Sequence, residues 1–138
     1  MNIIKIILLT LSICFTPYSY SYDHNKTISA QTFLNKSVSG MISLSIGLPF
    51  RSAEGQLRYI EALKMQTNAQ DIIAILINNE GNISESQKNL LKNNLYDSYD
   101  IYKKLLFLDE PQFLALTDEK KYSTYMFYLM KTIVLLYN

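Results

Sequence analysis

Apolar residues in this chain recur at spacings of three and four over most of its length, which is the mark of amphipathic helices. The first stripe starts at Ala30 and continues through Leu34, Val38 and Ile42, joined by Phe33 and Met41. Ser29 is placed to cap it, and Gly47 and Pro49 end it in the order expected of a helix stop. A second helix is predicted from a Ser52 cap, with Glu54 in its first turn and Leu57, Ile60 and Leu63 on its inner face. At Thr67-Asn68-Ala69-Gln70 the spacing is that of a capping box, so a new helix is expected there. Its run from Ile72 to Ile77 is β-branched enough to be a buried strand, but no second strand stands elsewhere to pair with it, and helix is the better reading.

Asn79-Glu80-Gly81-Asn82 forms a turn. Ser84-Glu85-Ser86-Gln87 is a second capping box, and it opens the clearest helix, with Leu91, Leu95, Tyr99 or Ser98, Tyr102 and Leu106 on one face. Asp109-Glu110-Pro111 stops that helix, and Pro111 can open a short helical turn through Leu116. Thr117 caps the last helix, with Asp118 and Glu119 where the helix dipole favours negative charge. Tyr122, Tyr125 or Met126, Leu129, Ile133 and Leu136 line its inner face, and Met130, Val134 and Tyr137 widen that face, so this helix is expected to be the central one. Residues 22–28 are polar and aperiodic, the pattern of a loose terminus. The fold class expected is all-α: one domain, 22–138, folded as a single bundle of four to six helices.

Residues 1–21 carry a different pattern, that of a cleavable export signal. Met1 to Lys5 supply positive charge, Ile6 to Phe15 an apolar core, and Ser19-Tyr20-Ser21 a small-x-small site, with cleavage expected after Ser21. That core is too short for a membrane anchor, and Lys131 interrupts the last helix, so no permanent membrane span is expected. Cys14 raises the alternative of a lipidated cysteine, against which stands the bulky Ile13 before it. Cleavage removes this one cysteine, and the delivered domain would hold together without disulfides in a periplasmic or secreted setting.

Charge and composition then narrow the chemistry. Loss of Lys5 from the 13 basic residues leaves 12 against 12 acids, so the domain has no basic excess of the kind that binds nucleic acid. His24 is the one histidine, and without a cysteine or a second histidine no usual zinc site or Ser-His-Asp arrangement can be assembled. No dinucleotide or P-loop fingerprint occurs, and no cofactor is expected. Asp97 and Asp100 share a helix face, as do Glu54 and Glu61, but a two-carboxylate hydrolase needs its groups across a cleft.

Two softer features remain. The first helix carries the small-residue set Ser37, Ser39, Gly40, Ser43, Ser45 and Gly47, of which Ser39, Ser43 and Gly47, at spacing four, allow close approach of another helix, within the chain or between copies. Tyrosine is abundant at 11 residues, and Tyr96 and Tyr128 fall off the main stripes, which makes them surface candidates for binding. With Asp97, Asp100 and the turn residues Asn79, Glu80 and Asn82, they form the candidate interface.

The expected role is a periplasmic protein-binding module whose partner is another protein of the cell envelope. The first form of this is an immunity or inhibitor protein that occludes a toxin or cell-wall hydrolase, with the 79–82 turn or the Pro111 segment as the plug. The second is an accessory factor or chaperone of a secretion, pilus or envelope assembly, whose mark would be an exposed apolar groove between helices. A carboxylate-based cell-wall hydrolase is the third.

Overall fold

Asp23 starts the first helix. Its carboxylate Oδ1 accepts from the Lys26 backbone N–H at 3.1 Å, the bond that an N-cap makes to the third helical residue. Helix α1 therefore runs His24–Gly47 and takes in residues 24–28, which the sequence pattern assigned to a loose terminus. A carboxylate cap six residues upstream of the expected Ser29 outcompetes it, and each further turn of helix adds backbone hydrogen bonds.

The chain is described from a computed structural model at residues 22–47, 53–108 and 119–138. The expected export signal, Cys14, Pro49, the Ser52 and Thr117 caps and the Pro111 segment lie outside the described residues. Within them are four α-helices and no strand: α1, then α2 (Ala53–Asn78), α3 (Glu85–Leu108) and α4 (Glu119–Tyr137).

Helix α2 is one continuous helix where two were expected. The Thr67 hydroxyl donates to the Leu63 carbonyl one turn back at 3.0 Å, and Gln70 reaches across to the Asn35 side chain of α1 at 2.7 Å. Neither side chain serves the capping box that their spacing suggested. The run 72–77 is helical, as its lack of a strand partner implied.

Its buried face also differs from the expected one. Gly55, Tyr59, Ala62, Gln66, Ala69, Ile73 and Leu76 are buried at alternating spacings of four and three, while Leu57 is 68% exposed and Ile60 also faces out. Small and polar residues hold the inner positions here because the neighbouring helices supply the bulk, and hydrophobicity alone pointed to the wrong face.

The capping box of α3 forms as its sequence predicts. The Gln87 N–H donates to Ser84 Oγ at 3.1 Å, and the Ser84 N–H donates to Gln87 Oε1 at 2.9 Å.

The helices form an antiparallel ring in which each packs on two neighbours. Across α1–α2, the Tyr59 hydroxyl donates to the Met41 carbonyl and Gln70 meets Asn35. The rings of Tyr59 and Tyr102 pack across α2–α3. Tyr122 donates to the Tyr102 carbonyl at 2.6 Å across α3–α4, and Thr132 meets the Ala30 carbonyl at 3.4 Å across α4–α1. In every pair the residue numbers rise on one helix as they fall on the other, which is up-down-up-down topology. A ring of four has no central member, so α4 is not the central helix: Met130 and Val134 are 42% and 45% exposed. The shared interior is filled by Leu34, Met41, Ile73, Leu95, Tyr102 and Leu129, all but fully buried.

The α1–α4 seam is tight because Gly40 lets the Tyr125 ring lie directly on the α1 backbone, where a Cβ would collide with ring carbons. Buried Ser37 and Gly40 form this small-residue surface, whereas Ser39 and Ser43 of the expected stripe are exposed. Gly40→Ala should lower the unfolding free energy by about 1–3 kcal/mol through overpacking. Ser39→Ala, on the exposed side of the same turn, should change it by no more than about 0.5 kcal/mol. Urea denaturation of the two variants checks both values.

Candidate functional site

The α3–α4 seam is the loosest of the four. Tyrosine hydroxyls bridge it to backbone carbonyls at both ends, Tyr122 to Tyr102 at 2.6 Å and Tyr137 to Lys88 at 3.5 Å. A tyrosine that reaches a carbonyl across a seam acts as a spacer longer than any leucine. Between the two bridges the helices leave an open groove of about 320 Å³, lined by Tyr99 and Lys103 of α3 and by Ser123, Met126, Phe127 and Met130 of α4. Apolar surface dominates its walls. Phe127, Met130 and Val134 continue it as an exposed stripe along α4, and exposed Tyr96 does so on α3.

The sequence-predicted interface residues fall in three separate places. Tyr96, Asp97 and Asp100 are exposed on α3, and Asp100 pairs with Lys104 at 2.7 Å. Tyr96 turns toward α4, with its ring centroid 6.2 Å from that of Tyr137. Tyr128 lies on the other side of α4, half-buried in the α1 seam, stacked on Phe33 at 5.9 Å with Lys36 over its ring. Asn79, Glu80 and Asn82 stand at the α2–α3 turn, roughly 18 Å along α3 from Asp97.

That turn is a Schellman motif: the Gly81 N–H donates to the Leu76 carbonyl at 2.8 Å and the Glu80 N–H to Ile77 at 3.3 Å. Glu80 takes the left-handed conformation (φ 51°) that glycine usually fills at this position, while Gly81 follows at φ 92°. The Tyr22 ring rests on Gly81, where a Cβ would meet it at 2.5 Å, and the Tyr22 hydroxyl is hydrogen-bonded to His24 Nδ1 at 2.7 Å. The start of α1 is thereby tied to the turn.

The carboxylates singled out from the sequence are spread over exposed faces. Glu54 pairs with Arg58 on its own helix, and Glu61 and Asp97 face solvent. Among the described residues no three His, Cys, Asp or Glu side chains gather as a metal site would require, and no helix is long and apolar enough to cross a membrane.

The groove residues Met126, Phe127 and Met130 were missed as site residues because apolar side chains on a helical stripe read as core. Helix α4 did carry a signal. Its apolar positions 125–130 and 133–137 cover most of its circumference, more than a four-helix ring buries.

At the end of the bundle next to the groove, Tyr59, bonded to the Met41 carbonyl, packs on the Tyr102 ring, and Tyr122 donates to the Tyr102 carbonyl. Burial first, and the neighbouring Tyr59 phenol second, push the Tyr102 and Tyr122 hydroxyls well above their ordinary value of 10.0. Both ionise near pH 10 in the unfolded chain but keep their protons when folded. Above that pH the folded state binds more protons, so stability falls as pH rises; below it neither group contributes. The expected slope is about 1.4 kcal/mol per pH unit for each tyrosine. A Tyr102→Phe/Tyr122→Phe variant should show a shallower alkaline loss of stability in denaturation curves taken on both sides of that pH.

Comparison of the chain with protein-family models, with curated proteins and with solved structures finds no match, so the fold and the groove are the ground for a functional reading.

Proposed function

We propose that this is an exported, periplasmic protein-binding module, and that it works as an accessory factor or chaperone of an envelope assembly by receiving a partner segment in the α3–α4 groove. The observation that carries this reading is the groove itself, flanked by Phe127, Met130 and Val134, each 42–46% exposed. Contiguous apolar surface on a small domain marks a place where another molecule covers it. Methionine and aromatic side chains suit such a surface, because the flexible thioether adapts to different partners. Export rests on the charge, apolar core and small-x-small pattern of residues 1–21.

Met130→Glu places a charge in the groove at a half-exposed position, so the bundle should keep its helical circular dichroism. Affinity capture from an envelope extract should then lose the partners that the unchanged protein retains. Capture that is identical for both proteins counts against the groove as the binding surface.

The occlusion reading, an immunity or inhibitor protein, draws on a different feature. Exposed Glu80 is held at φ 51° beside Asn79 and Asn82, and strained backbone of this kind gathers at binding loops. Glu80→Gly should raise stability by about 1 kcal/mol, since glycine adopts this conformation without a Cβ clash. If the turn enters an enzyme cleft, the same change should weaken inhibition; unchanged binding with raised stability would leave the turn with a purely structural part.

A further inference from the structure

We infer that the occupant of the α3–α4 groove is an amphipathic helix of a partner protein whose apolar stripe is bordered by carboxylates. This rests on the protein-binding reading above and adds the chemistry of the partner.

The spacing of the groove residues supplies the first ground. Lys92, Tyr96, Tyr99 and Lys103 follow one another on α3 at four, three and four residues, and Ser123, Phe127, Met130 and Val134 do the same on α4. These stripes lie beside the core stripes of the two helices; Tyr99 is half-buried against the interior, and the other positions are exposed. Alternating spacings of four and three are the pattern by which one helix meets another. Two such stripes on antiparallel neighbours form a seat for a further helix, about 16 Å or three turns long. An acyl chain would call for an enclosed tunnel and has no use for that periodicity, whereas this groove is open along its length.

The second ground is charge. Three lysines stand on and beside the two stripes: Lys92 and Lys103 on α3, and Lys131, whose ammonium lies 5.5 Å from the Phe127 ring centroid. Between Lys92 and Lys103 and between Ser123 and Val134 neither stripe carries a carboxylate, and Asp100, one turn from Tyr96 on α3, is paired with Lys104 at 2.7 Å. Among the described residues Lys92, Lys103 and Lys131 have no ion-pair partner. A rim whose unpaired charges are lysines, on a chain of nearly balanced charge, selects an acidic partner and disfavours a basic one. The same rim argues against a second copy related by a two-fold axis, since self-pairing of this face sets lysine against lysine.

The test uses three fluorescent helical peptides with the same leucine stripe and with flanking positions that are all Glu, all Gln or all Lys. Fluorescence anisotropy with the purified protein should show the Glu peptide binding roughly tenfold tighter than the Lys peptide at low salt. The gap should narrow as salt is added. Lys103→Glu should remove most of the preference for the Glu peptide over the Lys peptide, and Met130→Glu should weaken all three peptides.

Equal affinity for the Glu and Lys peptides would overturn the inference. So would tighter binding to vesicles of phosphatidylglycerol than to any peptide, or a dimer in sedimentation that Met130→Glu dissolves. Envelope capture separates this failure from failure of the underlying reading. Capture that depends on Met130 without any preference for the Glu peptide overturns only the acidic partner, whereas capture indifferent to Met130 overturns the groove as a binding site.

Discussion

The unequal width of the seams around the helical ring governs the rest of this structure. At α1–α4 the absent side chain of Gly40 lets the Tyr125 ring lie against the opposing backbone, and buried Ser37 and Ala30 keep that seam narrow. At α3–α4 the contacts at the two ends are tyrosines that span to a carbonyl. Four helices of similar length closed into a ring cannot all approach equally when one seam is lined by glycine, alanine and serine and another by tyrosine, methionine and phenylalanine. The groove is the geometric remainder of that mismatch, and its apolar walls are side chains that the ring has no room to bury.

The interior is less well satisfied than its apolar content suggests. Gln66 is fully buried with neither end of its amide hydrogen-bonded, and Ser37 Oγ, Asn94 Nδ2 and the Tyr102 hydroxyl are also buried without partners. Each such group costs about 1–3 kcal/mol relative to a paired or apolar one. The cross-seam pairs place Ser37, Gln66 and Asn94 at similar heights in the bundle, near its middle. A polar level of this kind penalises slippage of one helix past another, because any other register would set these groups against leucine and isoleucine. The tight seam and the polar level act together to hold the register that leaves Phe127 and Met130 facing outward and Tyr99 and Met126 half-buried beneath them.

Element boundaries were legible wherever a local signal decided them. The Ser84–Gln87 box opens α3 as its spacing predicts, and the turn at 79–82 forms where glycine and asparagine indicate. Where two local signals competed, the sequence misled. Thr67 and Gln70 have cap spacing, but the Thr67 hydroxyl turns back to Leu63 and Gln70 is drawn across to Asn35. Asp23 as the cap of α1 was visible in principle, but the polar stretch after it carries no apolar period to announce a helix. Of the candidate interface, the exposure of Tyr96, Asp97, Asp100 and the turn residues followed from their positions off the stripes. Tyr128 did not follow, because its half-buried place depends on Phe33, 95 residues away in the chain and 5.9 Å away in space.

The all-helical class and the order of the helices were determined by the sequence alone, since periodicity, caps and turn residues act over a few neighbouring positions. Which apolar face of each helix turns inward was a tertiary decision. Leu57 and Ile60 point out while Tyr59, Ala62 and Gln66 point in, because burial is settled by the volumes of the facing helices as well as by the hydrophobicity of one strip. The groove belongs to the same class of outcome. Met130 and Val134 look like core in one dimension, and they become a binding surface because a ring of four helices leaves one seam too wide to close.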